Sequence, residues 1–131
     1  VAEIRSVAEQ VVTDVRAGRA HMLAIDRDHA LLGFAVLVPG HRPVRRHTAE
    51  VAWLMVDPRL QGRGWGRRLL DAAVRQAKAL GIERLQLSLR SGDGLEQFYG
   101  KCGWTERGRW PGAVRVAEGD ERDDVWLTRE V

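Results

Sequence analysis

Residues 61–70 read QGRGWGRRLL, with glycines at three alternate positions, three arginines and no acid. An apolar helical pattern begins immediately afterwards, so the glycines fall where a helix starts. A helix start leaves four backbone N–H groups without intrahelical partners and carries about half a positive charge. Glycine there removes Cβ atoms and permits positive φ, so an anion can come close to the amides. With Arg63, Arg67 and Arg68 added, the stretch reads as a site for phosphate. Charge-assisted hydrogen bonds contribute about 1.5–3 kcal/mol each, so three or four such amides would anchor a pyrophosphate.

Spacing separates the loops that use this device. A Walker loop needs a Lys-Ser or Lys-Thr pair, and none stands here. The dinucleotide fingerprint GxGxxG, counted from Gly62, needs glycine where Arg67 stands; counted from Gly64 it needs glycine where Leu69 stands. The spacing that fits is Q-x-x-G-x-G, through Gln61, Gly64 and Gly66.

Glu50 is the one acid within TAEVAWLMV, residues 48–56, a strand pattern otherwise apolar on both faces. Such a pattern predicts a strand buried inside a sheet, and a buried carboxylate there needs a reason because it is costly. Tyr99 is the only tyrosine, on the apolar face of a short helical pattern. Cys102, the only cysteine, excludes an internal disulfide and a multi-cysteine zinc site, and reads as a packed thiol. His21, His29, His41 and His47 show no ligand spacing, so no metal is expected.

The elements that must position these residues follow from periodicity. Val1, Ile4, Val7, Val11 and Val15 form one helical stripe, with Gly18 as C-cap. HMLAID (21–26) and LLGFAVLV (31–38) flank the turn RDHA as a hairpin, and PGHRPVRRH (39–47) is a loop. After the glycine loop, Leu69, Leu70, Ala73, Val74, Ala77 and Leu80 make a helical stripe that stops at Gly81. Residues 82–90 alternate as a strand, 94–102 form a short helix, and 103–110 and 124–131 are strands around a long polar loop. The five tryptophans, mostly on these strands, are expected to fill the core or line a cleft. The order implies one mixed α/β domain spanning residues 1–131.

Composition sets the outer limits. With 131 residues, 44% hydrophobic and 30% charged, the chain can bury a core without metals or disulfides. No apolar run approaches the roughly 20 residues of a membrane span, and the opening lacks a signal-peptide pattern. A soluble, cytoplasmic protein is the expectation. The net charge of +3 is unevenly spread: HRPVRRH (41–47) and the glycine loop are basic, whereas EGDERDD (118–124) is acidic. That asymmetry suggests an anionic ligand at one place and a cationic one, such as an amine, at another.

The stretch VDPRLQGRGWGRRLLDAAV resembles the acetyl-CoA-binding loop and helix of the GNAT (Gcn5-related) N-acetyltransferases. LEQFYGKCGW (95–104) resembles that family's second signature, and both stand in the family's order with a strand between them. The resemblance implies a mixed, mostly antiparallel α/β (α+β) sheet flanked by helices and splayed at the acetyl-CoA site. It implies pyrophosphate held by amides of Gly62, Arg63, Gly64, Trp65, Gly66 and Arg67, following Gln61. It further implies that backbone groups of Leu54, Met55 and Val56 bond the pantetheine arm and the acetyl carbonyl.

Tyr99 matches the tyrosine that protonates the departing thiolate, with simple packing as the alternative. Glu50 stands eleven residues before Gln61, the interval of a general base in the histone-acetyltransferase branch; pairing with an arginine at the strand's edge is the alternative. Direct transfer from an ammonium of pKa about 10.4 to a carboxylate of about 4.3 is about 8 kcal/mol uphill, so such a base needs a raised pKa, a less basic amine or a bridging water. Gly92 replaces an asparagine common in the family, leaving Ser91 or Asp93 to supply its contact. The family pattern also opens on a strand, whereas this chain opens on a helix, so that strand is absent from this sequence or replaced.

The reading is an acetyl-CoA-dependent N-acetyltransferase acting on an amine acceptor, with a homodimer left open. A non-catalytic CoA-binding module and a nucleic-acid-binding domain are the alternatives. Against the latter, no stacking aromatics interleave with the arginines.

Overall fold

Apolar runs punctuated by turn residues build most of this chain into strands, and two amphipathic stretches between them become helices. The computed structural model describes residues 2–131. Helix α1 (Ala2–Arg16) comes first. Val1 and the side chains of Ile4 and Val7 lie outside the described residues, so the expected stripe is seen through Val11 and Val15, both half-buried. Gly18, at φ 76°, takes the left-handed position just past the helix end. Among the described residues no helix is long and apolar enough to cross a membrane.

Strands β1 (His21–Arg27) and β2 (Ala30–Pro39) form the expected hairpin. Its tight turn holds both Asp28 (φ 51°) and His29 (φ 65°) in the left-handed region, as a turn matched to strand twist requires. Then follow β3 (Thr48–Val56), α2 (Trp65–Ala79), β4 (Arg84–Arg90), α3 (Leu95–Lys101), β5 (Thr105–Ala117) and β6 (Asp120–Glu130). The six strands lie in the order β1-β2-β3-β4-β6-β5. Every pairing is antiparallel except β3 with β4, whose parallel crossover α2 supplies.

α2 buries Leu69, Leu70, Ala73 and Ala77 against this sheet. With Leu37, Leu85, Leu87, Tyr99, Trp104 and Val125 they make the core on the helix-bearing face. Leu37 and Leu70 are fully enclosed, and truncating such a side chain to alanine costs ~2–5 kcal/mol.

Two expectations are corrected. The long polar loop is instead a hairpin: β5 and β6 run on to a tight turn at Glu118 and Gly119, with β5 at the sheet's edge. β5 is exposed along nearly its whole length, so it carries charges on both faces and lacks the alternation that marks a half-buried strand. The acids of 118–124 are therefore not a free acidic loop. Asp120 pairs with Arg122, Glu121 with Arg115 and Asp123 with Arg109.

The second correction concerns β3, which is not buried on both faces. Its register with β2 passes from Val51↔Leu37 to Trp53↔Val36, leaving Ala52 as an extra, bulged residue. The bulge reverses the alternation beyond it, so Ala49, Val51, Leu54 and Val56 face the helices while Glu50, Trp53 and Met55 share the other, exposed face.

Candidate active site

β3 and β4 are paired only at Thr48↔Arg84, Ala49↔Leu85 and Glu50↔Gln86. Beyond that level β3 pairs only with β2, and β4 continues to Arg90 against β6 alone. The two parallel strands therefore fork, and their facing edges carry backbone N–H and C=O groups with no ladder partner. Leu54, Met55 and Val56 lie on that unpaired length of β3. Glu50 stands at the base of the fork, exposed, on the face away from α2, and no basic side chain pairs with it among the described residues. The premise of a buried acid thus falls away with the correction to β3, as does its pairing with an arginine.

The chain leaves β3 through a short 3-10 turn at Pro58–Leu60 capped by Asp57, whose Oδ1 accepts from the Arg59 amide at 2.9 Å. The Arg59 side chain grips the same carboxylate, holding its pKa down at about 2. Arg59 is thereby tied to the turn. Gln61 reaches back to donate from Nε2 to the Val56 carbonyl at 3.3 Å, tying the loop to the end of β3.

Gly64 then enters α2 at φ 83° with no side-chain cap, and the first helical bond runs from the Arg68 amide to the Gly64 carbonyl. The amides of Gly62, Arg63, Gly64, Trp65, Gly66 and Arg67 make no well-formed hydrogen bond to any described residue. Successive amides without a well-formed partner at a helix start are groups that an anion can engage. The three arginine side chains of the loop have different neighbours. Arg63 borders a cavity of about 400 Å³ beside Arg27 and Leu60, and Arg68 lies over the Trp65 ring at 4.7 Å. The positive charge of Arg67 reaches the buried Cys102 thiol, offsetting part of the upward push that burial gives it.

The second motif meets the first directly. A Cβ on Gly66 would lie 3.5 Å from Phe98 Cζ, so α3 packs against the first turn of α2. Tyr99 follows on α3, 7% exposed, edge-on to Phe98 and Trp104. Its hydroxyl makes no hydrogen bond within the described residues. Burial, then the neighbouring Cys102, pushes its pKa up to about 12. Tyr99 belongs to the helix-side core and Glu50 to the opposite face, so the fork lies between a phenol and a carboxylate on opposite sides of the sheet.

Ser91 and Asp93 are engaged otherwise. Ser91 Oγ accepts from the Asp123 amide at 2.8 Å, and Asp93 binds Arg90 and Arg122. Arg122 also donates to the Ser91 carbonyl and occupies the space that a side chain at Gly92 would need, 2.6 Å away. Both residues hold the β4–α3 loop onto β6.

Sequence reasoning missed Arg109, which binds Glu96 of α3 together with Glu106 and Asp123 at 2.7–2.8 Å. Because α3 carries Tyr99, this clamp fixes the helix on the β5–β6 hairpin. The signal was hidden by reading 111–123 as a loop. Among the described residues no group of three or more metal-ligating side chains converges.

Comparison with known proteins fits this arrangement. The model of the acetyltransferase (GNAT) family matches residues 4–104, which include the loop, the fork and both signatures. An acetyltransferase of the GNAT family from Streptococcus pneumoniae superposes with a TM-score of 0.77 at 23% identity, over 86% of this chain and 68% of that one. An IAA acetyltransferase from Bacillus cereus gives 0.74 at 26%, over 94% and 84%. A ribosomal-protein-alanine N-acetyltransferase from Brucella melitensis gives 0.78 at 21%, over 97% and 78%. By the match over residues 4–104, this chain belongs to the GNAT acetyltransferase family.

Proposed function

We propose that this chain is an acetyl-CoA-dependent N-acetyltransferase acting on a primary amine of a small molecule or peptide. The observation that carries this reading is the fork beyond Glu50↔Gln86, with six free loop amides beside it. The fit is chemical: successive N–H donors suit a pyrophosphate, and an unpaired strand edge suits the amides of a pantetheine arm. The amides of Gly62–Arg67 hold the phosphates, and the edge at Leu54–Val56 holds the arm.

When bound, acetyl-CoA supplies the acetyl group as an activated thioester. The acceptor amine comes from the Glu50 face and adds its lone pair to the carbonyl carbon. Edge amides of β3 donate to the carbonyl oxygen as negative charge develops there. The carbon–sulfur bond breaks, the thiolate takes the Tyr99 proton, and the amine's surplus proton passes through water toward Glu50. Amide and free thiol are the products. Tyr99, pushed up to about 12, keeps its proton throughout the neutral range. Against an ordinary thiol of pKa about 8.5 the transfer is about 5 kcal/mol uphill, and burial of the thiolate in the same site narrows that gap.

A thiol-release assay with acetyl-CoA against a panel of amines tests the reading, with product masses identifying the acetylated acceptor. Turnover with a mass gain of one acetyl group is expected. Failure of the intact protein to take up coenzyme A in calorimetry overturns it.

A further inference from the structure

Directly below the fork, on the Glu50 face, the sheet bears a cavity of about 470 Å³ with a strongly basic wall. Arg84 and Gln86 of β4 and Trp126, Thr128 and Glu130 of β6 share that face by their cross-strand pairing. Arg107 reaches it from β5, where its Nε donates to Thr128 Oγ1 at 2.8 Å and its two terminal nitrogens have no partner among the described residues. Arg45 and His47 close the side from the loop before β3. The sole carboxylate in the lining is Glu130, 3.6 Å from Arg84, with both side chains mostly exposed. Arg129 also borders the cavity, but its guanidinium lies beside Gly103. Trp126, 47% exposed, adds an indole to this wall.

Arg45 and Arg107, without an acid partner among the described residues, and Arg84, shared with one acid, make a seat for an organic anion, and a fork-shaped guanidinium suits a carboxylate. The cavity also adjoins the proposed site. Thr48 and Gln86 line it, and Gln86 is the direct partner of Glu50. From the Arg84↔Thr48 level to the first unpaired level, at Leu87, is three residues of strand, ~10 Å.

We infer that this cavity is a specificity subsite for the far end of the acceptor: it takes a carboxylate carried ~10 Å from the reacting amine, the length of about three extended peptide residues. The inference rests on the function proposed above and deepens it. Free amino acids are too short to fill both places; a short peptide with a free carboxyl end, or an ω-amino acid of that length, fits.

The test uses glycine, diglycine, triglycine and tetraglycine, each as the carboxylate and as the carboxamide, with the intact enzyme and acetyl-CoA. The expected result is a kcat/KM for triglycine or tetraglycine about tenfold or more above that of its carboxamide, with glycine poor in both forms. In Arg45→Gln and Arg107→Gln that ratio falls toward one, and circular dichroism reports whether each variant is folded. A ratio near one in an active wild-type enzyme overturns the subsite and leaves the acetyltransferase reading intact. Calorimetry of triglycine against triglycinamide reads the same preference without turnover. Preferential carboxylate binding by a protein that never acetylates leaves a carboxylate seat but overturns its role as an acceptor subsite together with the function; no preference in either experiment removes the seat itself.

Discussion

Phe98 Cζ lies 3.5 Å from the point where a Gly66 side chain would begin, so the loop that opens α2 and the short helix that carries Tyr99 meet through one ring. Residues 32 positions apart are thereby held as one unit beside the fork. The phenol and the amides of the loop are thus fixed relative to each other, as the proposed function requires of them.

That contact separates two explanations for a glycine at 66. The contact is of ordinary van der Waals length and Gly66 is not among the glycines at positive φ, so neither packing nor backbone forbids alanine. Gly66→Ala should not lower Tm and should raise it by up to about 4 °C, since alanine is about 1 kcal/mol better than glycine inside a helix. Coenzyme A affinity should fall about tenfold or more as the new methyl group crowds the amides. Calorimetry beside a melting curve checks both. Gly64 cannot discriminate in this way, because its φ of 83° penalises alanine by ~1–2 kcal/mol whatever the ligand does.

Tyr99→Phe should lower kcat by about 10²–10³-fold while coenzyme A affinity changes little. The missing hydroxyl bonds no described residue, so Tm at neutral pH should barely move. The alkaline range carries a second signature. Folded Tyr99 holds its proton up to about 12, against 10 for the ordinary group. Between those values the native state binds more protons than the unfolded one, so the phenol's contribution to stability is constant below pH 10 and declines as pH rises through the window, by up to ~3 kcal/mol. The phenylalanine variant lacks this contribution and keeps only the decline from other groups such as the Cys102 thiol, which burial also pushes up. Chemical denaturation from pH 9 to 12 should show a steeper slope in the wild type than in the variant; equal slopes would mean that the phenol is not the titrating group.

Much of this was legible in the residues. The hairpin, α2, β4 and α3 follow from apolar periodicity and glycine stops, because each has one face buried and one exposed. β5 was not legible beyond Trp110, since an edge strand wet on both faces has no periodicity to read. β3 misled in the opposite sense: Trp53 and Met55 look like core letters, but the Ala52 bulge turns them to the open face, 39% and 54% exposed. A bulge leaves little trace in a single sequence. The glycine loop was legible as the start of α2, whereas the directions of its arginine side chains were not: charge counted along the chain does not say where a long side chain points. Arg109 and the basic cavity depend on strands brought together from distant segments, which composition cannot foretell.

Arg109 joins α3 to the hairpin through three carboxylates, all partly solvated. Replacing it with methionine keeps the apolar stem and removes the guanidinium. Tm should drop by about 2–4 °C, less in 1 M salt than at low salt, because exposed pairs are screened. The more telling readout is kinetic: kcat should fall several-fold with acetyl-CoA KM nearly constant, because α3 and its phenol are positioned less firmly. Lysine at 109 should restore part of the rate. A variant that melts earlier with an unchanged kcat would make the clamp purely structural.

Glu50 is the residue whose role depends most on the acceptor. It is an exposed carboxylate at the base of the fork, without an ion-pair partner among the described residues, so Glu50→Gln preserves shape, breaks no salt bridge and should leave Tm within about 1 °C. If Glu50 takes the amine's proton through water, the substitution should lower kcat by about 10–100-fold for an alkyl amine of pKa near 10. The penalty should shrink as the acceptor becomes less basic, because an amine already neutral at the assay pH needs less help to shed its proton. A series of acceptors equal in length and falling in pKa, assayed with wild type and Glu50→Gln at one pH, measures this directly. A penalty that stays constant across the series would assign Glu50 to holding the ammonium by charge instead, and Glu50→Asp, which keeps that charge but draws it back by one methylene, would then lose far less than the amide.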